Sequence, residues 1–133
     1  MFTVTIKDDS VRFDPLTPAL AHLLGALDRA VAICQFNLVV SCGREGHPPT
    51  DPHTRGLALD LSVKTLTDDQ VGYVKQTLEE LLGPAFTVLY ETPTDPTNPK
   101  LASIAYVNPG ASAPHLHLQA KKGTTWPPTT EPG

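Results

Sequence analysis

Histidine and aspartate recur in this chain at spacings that suit metal chemistry. The stretch "DPHTRGLALDL", residues 51–61, carries His53 and Asp60, and "HLHLQ", residues 115–119, carries His115 and His117. Side chains alternate between the two faces of a strand. Leu57, Leu59, Leu61 and Val63 then point one way and Ala58, Asp60 and Ser62 the other, while Leu116 and Leu118 oppose His115, His117 and Gln119. If the two strands are neighbours in a sheet whose apolar face is covered, Asp60, His115 and His117 converge on the open face, and His53 arrives from the loop just before. Zinc accepts neutral imidazole nitrogen and carboxylate oxygen, and a catalytic zinc commonly has three protein ligands and keeps a fourth position for water. His53, Asp60 and His117 supply such a set. An ion held there would bring the pKa of its water toward neutrality and polarise a carbonyl, which suits amide hydrolysis. His115 is left for proton transfer, because an imidazole near its ordinary pKa can take a proton and hand it to a leaving amine.

The remaining histidines and the cysteines read as ordinary. A single histidine is most often a solvated surface group, which is the expectation for His47 and for His22, off the leucine stripe of its helix. Cys34 and Cys42 fall in apolar helix-end and strand surroundings without the close Cys/His company of a structural zinc site, and read as small core residues.

The elements that must position these groups alternate along the chain. Residues 2–7 form a β-branched run suited to an edge strand. Thr17 as N-cap and Pro18 at the first helical position open a helix whose Leu20, Leu23, Leu24, Leu27 and Val31 form an apolar stripe. Residues 36–41, "FNLVVS", read as a buried strand, and "CGREGHPPTDPHTRG", residues 42–56, as an irregular loop broken by Pro48, Pro49 and Pro52. Such a loop is a natural carrier of function. The strand over 57–63 leads to a second helix. It opens on a Thr67–Gln70 capping box, with Asp68 and Asp69 near its positive end; its stripe is Val71, Val74, Leu78, Leu81 and Leu82, and it stops at Gly83-Pro84. Three further strands are predicted over 86–91, 101–107 and 115–119. The fold expected is α+β: a mainly antiparallel sheet with two helices packed on one face and a zinc site on the other. Residues 1–122 form a single domain and 123–133, "GTTWPPTTEPG", a flexible tail.

Composition narrows the partners. At 133 residues the chain suits one domain with a real core. Its formal charge of -4 includes no basic run that would answer to a nucleic-acid backbone. The opening "MFTVTIKDDS" lacks the apolar stretch of a signal peptide, and no window approaches a membrane span. Nothing in the sequence specifies an oligomeric state.

His-Thr-Arg-Gly-Leu-Ala-Leu-Asp, residues 53–60, resembles the signature of the D-Ala-D-Ala carboxypeptidase family of zinc peptidases: histidine, two residues, glycine, one residue, alanine, one residue, aspartate. "HLHLQ" is similar to the closing His-x-His strand of the wider group that includes lysostaphin-type endopeptidases and the Hedgehog signalling domain. The resemblance spans about residues 37–119. It implies zinc on His53, Asp60 and His117, with peptidoglycan peptides as substrate. "VVSCGRE" is similar to the segment that precedes the first ligand in that family and implies Arg44 as the binder of a substrate carboxylate or carbonyl, a task that suits a planar guanidinium. Arg55 competes for the same role. Gly56 suits a turn that needs positive φ or close backbone approach.

The chain departs from the family at the general base. Where several members carry a glutamate three residues before the last ligand, this sequence has Pro114. His115 is the first choice for the base, as in the lysostaphin-like branch, and Glu91, ending "FTVLYE", is the second. Asp51, standing where a serine is usual, either orients His53 or caps a turn. Two function classes follow. One is a zinc peptidase that cuts cell-wall peptides by zinc-activated water. The other is a non-catalytic metal-binding module of the same fold, in a wall-binding or phage structural role. Arg44 together with His115 favours the enzyme. Without an export signal, an enzyme of this kind is expected to be made in the cytoplasm or to be phage-associated, with action at the cell wall.

Overall fold

Thr17 and Thr67 begin the two long helices. The Thr17 hydroxyl accepts the Leu20 N–H, Pro18 occupies the first turn, and helix α1 runs Pro18–Cys34. Thr67 and Gln70 close a reciprocal capping box at the start of α2, Asp68–Leu82, whose first turn carries Asp68 and Asp69 against the helix dipole. Leu20, Leu23, Leu27 and Val31 of α1 and Val71, Val74, Leu78 and Leu82 of α2 are buried, as the helical spacing of these residues requires. The computed structural model describes residues 2–121. The tail expected over 123–133, and the end of the domain expected at 122, lie outside the described residues.

The strands are β1 (Val4–Ile6), β2 (Leu38–Cys42), β3 (Ala58–Ser62), β4 (Phe86–Thr92), β5 (Ala105–Val107) and β6 (His115–Ala120), with a single helical turn, α3 (Pro99–Ala102), between β4 and β5. They form one open six-stranded sheet in the order β1-β2-β3-β6-β4-β5. Leu59 and Leu61 of β3, Leu116 and Leu118 of β6, and Val88 and Tyr90 of β4 join the stripes of α1 and α2 in one core. The helical layer therefore covers one face of the sheet, and the alternate residues face away from it.

The structure differs from the sequence expectation in two respects. The sheet is mixed: the inner pairs β2–β3, β3–β6 and β6–β4 are antiparallel, while the edge pairs β1–β2 and β4–β5 are parallel. Both edges are reached through crossovers, one containing α1 and the other α3, and such connections produce parallel neighbours. The strand expected over 101–107 is only half strand. Asn98 accepts the Lys100 N–H, Pro99 sits at the first helical position, and Leu101 is buried from the resulting turn, so the chain enters β5 only at Ala105. No helix among the described residues is long and apolar enough to cross a membrane.

Candidate metal centre

Strand register brings the chemistry together. Asp60 of β3 pairs with His117 of β6, and His117 in turn with Leu89 of β4. One row along, Ser62 pairs with His115, and His115 with Glu91. Because Leu116 and Leu118 take the covered face, His115 and His117 must take the open one. The same alternation turns Asp60 and Glu91 toward them.

His53 comes from the loop between β2 and β3, which is fixed at both ends. Gly43 packs so closely on the Arg12 backbone that a Cβ there would collide with it. Gly56 has φ +72°, and a Cβ there would strike the Thr17 side chain, so close approach and positive φ both apply. Asp51 Oδ1 accepts the His53 N–H at 2.9 Å, which makes Asp51 the cap of this turn. His53 ends 3% exposed.

Three acceptor atoms then face one another. His53 Nε2 lies 3.3 Å from Asp60 Oδ1 and 3.3 Å from His117 Nδ1, and His117 Nδ1 lies 2.9 Å from Asp60 Oδ1. The outer atom of each ring has an oxygen partner of its own. His53 Nδ1–H donates to the Gly43 carbonyl at 3.0 Å, and His117 Nε2–H donates to Gln119 Oε1 at 2.8 Å. A neutral ring that donates outward turns its inner lone pair toward the Asp60 carboxylate, a place suited to a positive charge. A proton or a metal ion can supply it. Donors at about 2.0–2.1 Å from a tetrahedral ion stand about 3.3 Å apart, so the separations fit an ion held by these three residues. The outward hydrogen bonds are of the kind that orients metal-bound histidines. Burial alone would raise the Asp60 pKa, but the bonds to His117 and His53 and the nearby imidazoles outweigh it and hold the carboxyl below the usual range. Burial likewise lowers His117, and its bonds to Asp60 and Gln119 more than reverse this.

His115 and Glu91 form a second pair at the edge of this cluster. His115 Nδ1–H donates to the Ala113 carbonyl, and Nε2 lies 3.1 Å from Glu91 Oε1 and 3.7 Å from Asp60 Oδ1. Asn108 Nδ2 donates to the other Glu91 oxygen at 3.2 Å. Burial lowers the His115 pKa, but the bond to Glu91 and the Asp60 charge overcome it and raise it. The Glu91 carboxyl is held below its ordinary value, first by its bond to His115. The opposite shifts of the two groups favour an ion pair of His115 and Glu91 beside His53, Asp60 and His117. Asp60, Glu91, His115 and His117 also offer ligand atoms that all lie within 4.8 Å of one another.

Arg44 does not join them. Its Nε and Nη2 donate to the Thr54 carbonyl at 3.0 and 2.8 Å, and Nη1 donates to the Pro15 carbonyl. The guanidinium braces the loop that carries His53. It is not among the residues lining the open-face cleft, a cavity of about 1020 Å³ whose cations are Lys7 and Lys64. Arg55 is exposed and also outside the lining. Arg44→Ala is expected to lower stability by roughly 1–3 kcal/mol through the lost carbonyl bonds, measured by thermal unfolding, with little effect on ligand affinity; a loss of affinity at full stability would contradict this.

Three residues expected to be ordinary are not. Cys34 is buried beside Thr77 as a core residue should be, but Cys42 lines the cleft. A register shift between Val40 and Cys42 sets Cys42 opposite Asp60; such a bulge re-aims a side chain that simple alternation places in the core. Burial, with Glu45 and Asp60 nearby, pushes the Cys42 thiol up to about 12. His47 stacks on His53, ring centroids 4.4 Å apart, and His22 stacks on Phe86. Gln119 and Asn108 were not singled out for a role. Gln119 shares the open-face alternation of "HLHLQ", which was the available signal, whereas Asn108 sits in a loop with none. Gln119→Leu is expected to weaken metal binding roughly 10–100-fold by freeing the His117 ring, as read by competition with a chromophoric chelator. Unchanged affinity would deny Gln119 that part.

No protein-family model matches the chain, and no curated protein or solved structure matches it.

Proposed function

We propose that this protein is a zinc-dependent peptidase that hydrolyses peptidoglycan peptide bonds, of the D-Ala-D-Ala carboxypeptidase or cell-wall endopeptidase type. The observation that carries the proposal is the meeting of His53 Nε2, Asp60 Oδ1 and His117 Nδ1 within 2.9–3.3 Å, beside the His115–Glu91 pair at 3.1 Å. The substrate class rests on the resemblance of residues 53–60 and 115–119 to the carboxypeptidase family and its wider group.

His53, Asp60 and His117 would hold the zinc, with Gly43 and Gln119 fixing the two rings. Zinc held there would supply an acidified water and a polarised scissile carbonyl. His115 moves the proton: its Nε2 faces the cleft within reach of Glu91 and Asp60, and the raised pKa suits it to protonate a leaving amine. Glu91, anchored by Asn108, orients the His115 ring and takes up its charge. The two candidates for the base thus act as one unit. Lys7 and Lys64 are the cations available in the cleft to a substrate carboxylate. Action at the wall would follow release from, or carriage on, a phage particle.

Pro114, standing where the family has glutamate, favours a second reading, a metal-binding module without hydrolysis. Digestion of purified peptidoglycan by zinc-loaded protein, with mass analysis of the fragments, separates the two. Release of peptides cut next to a D-amino acid supports the enzyme and names the bond. Intact peptidoglycan with zinc demonstrably bound supports the module.

A further inference from the structure

The geometry points to a second metal position formed by Cys42, His47 and His53, one that takes a thiophilic divalent ion such as Cd2+ in competition with the first position for His53. One ligand atom from each of the three residues lies within 4.8 Å of the others. The closest pair, Cys42 Sγ and His47 Nε2, is 3.3 Å apart. A sulfur at about 2.3 Å and a nitrogen at about 2.0–2.1 Å from one tetrahedral ion stand about 3.5 Å from each other, so the pair is already near the span it needs.

Two local features build the position. The bulge after Val40 turns Cys42 out of the core row and sets it opposite Asp60. On the far side of the His47 ring, Nδ1 lies 3.5 Å from Asp51 Oδ2. A carboxylate on that side of the ring favours a proton on Nδ1 and so a lone pair on Nε2, the nitrogen nearest the sulfur. His47 and His53 are stacked 9° from parallel with ring centroids 4.4 Å apart, so the two imidazoles lie side by side at the position.

His53 decides the relation between the two positions. A neutral imidazole has a single lone pair on nitrogen, so an ion at one position denies His53 to the other. Ligand softness then sorts the ions. Asp60 and His117 offer hard oxygen and imidazole, whereas Cys42 offers a thiolate, which favours a thiophilic ion. Binding there transfers the Cys42 thiol proton to solvent as the sulfur–metal bond forms.

The test is titration of the full chain with Cd2+, following thiolate-to-cadmium charge-transfer absorption, in the wild type, in Cys42→Ser and in Asp60→Asn. The wild type is expected to develop the band, saturating at about one ion per chain. Cys42→Ser should lose the band and bind Cd2+ at least about tenfold more weakly while keeping its zinc affinity. Asp60→Asn should keep the band while its zinc affinity falls. Absence of the band in the folded wild type, or its persistence in Cys42→Ser with Cys34 as the only thiol, would overturn the proposal. Failure of zinc to bind while the cadmium band survives would count against the first position alone, so the two readings fail separately. Circular dichroism of each variant confirms that the fold is retained.

Discussion

His117→Ala is expected to reduce zinc affinity by more than the roughly 10–100-fold attributed to outer hydrogen-bond partners, because it removes a ligand together with the ring that Gln119 orients. His117 Nδ1 also makes the shortest contact to Asp60, at 2.9 Å, so the substitution leaves a 9%-exposed carboxylate with one fewer partner. The price is roughly 1–3 kcal/mol of stability, small enough for a core built on Leu116 and Leu118 to survive. Calorimetric zinc titration of the folded variant reads the effect. Zinc affinity equal to that of the wild type would remove His117 from the ligand set.

His115→Ala is expected to do the opposite: zinc stays and hydrolysis falls about 10²–10⁴-fold, the usual contribution of a positioned general acid–base group. The two histidines are two residues apart on the same face, so position in the strand does not separate them. Their partners do. His117 Nδ1 faces Asp60 and His53, whereas His115 Nε2 is closest to Glu91 and stands 3.7 Å from Asp60. The loss should fall on kcat with zinc content unchanged. Zinc loss in His115→Ala matching that in His117→Ala would mean that the four-residue set Asp60, Glu91, His115 and His117 holds the ion instead.

Much of this arrangement was legible in the chain because period-2 alternation is a local property. "LALDLSV" and "HLHLQ" each place their leucines on one side, and a strand so patterned must show its other residues to the open face. Helix starts were equally legible, since Thr17-Pro18 and the Thr67–Gln70 box satisfy orphan N–H groups with their own side chains. The position of Cys42 was not, because it depends on a bulge that only pairing with β3 produces. Nor was the occupation of Arg44 by the Thr54 and Pro15 carbonyls, since Pro15 reaches it only through tertiary packing. The parallel edges were missed for a similar reason: which strand a crossover returns beside is decided by packing on the helices. The turn at Asn98-Pro99, by contrast, carried a readable cap, since Asn98 accepts the Lys100 N–H and Pro99 sits in the first turn.

X-ray absorption at the zinc edge of the loaded wild-type protein tests the central claim most directly. The account predicts a shell of nitrogen and oxygen at about 2.0–2.1 Å, with the outer scattering of two imidazoles from His53 and His117 and no sulfur. A sulfur shell at about 2.3 Å, or zinc lost on gel filtration without chelator, would contradict it.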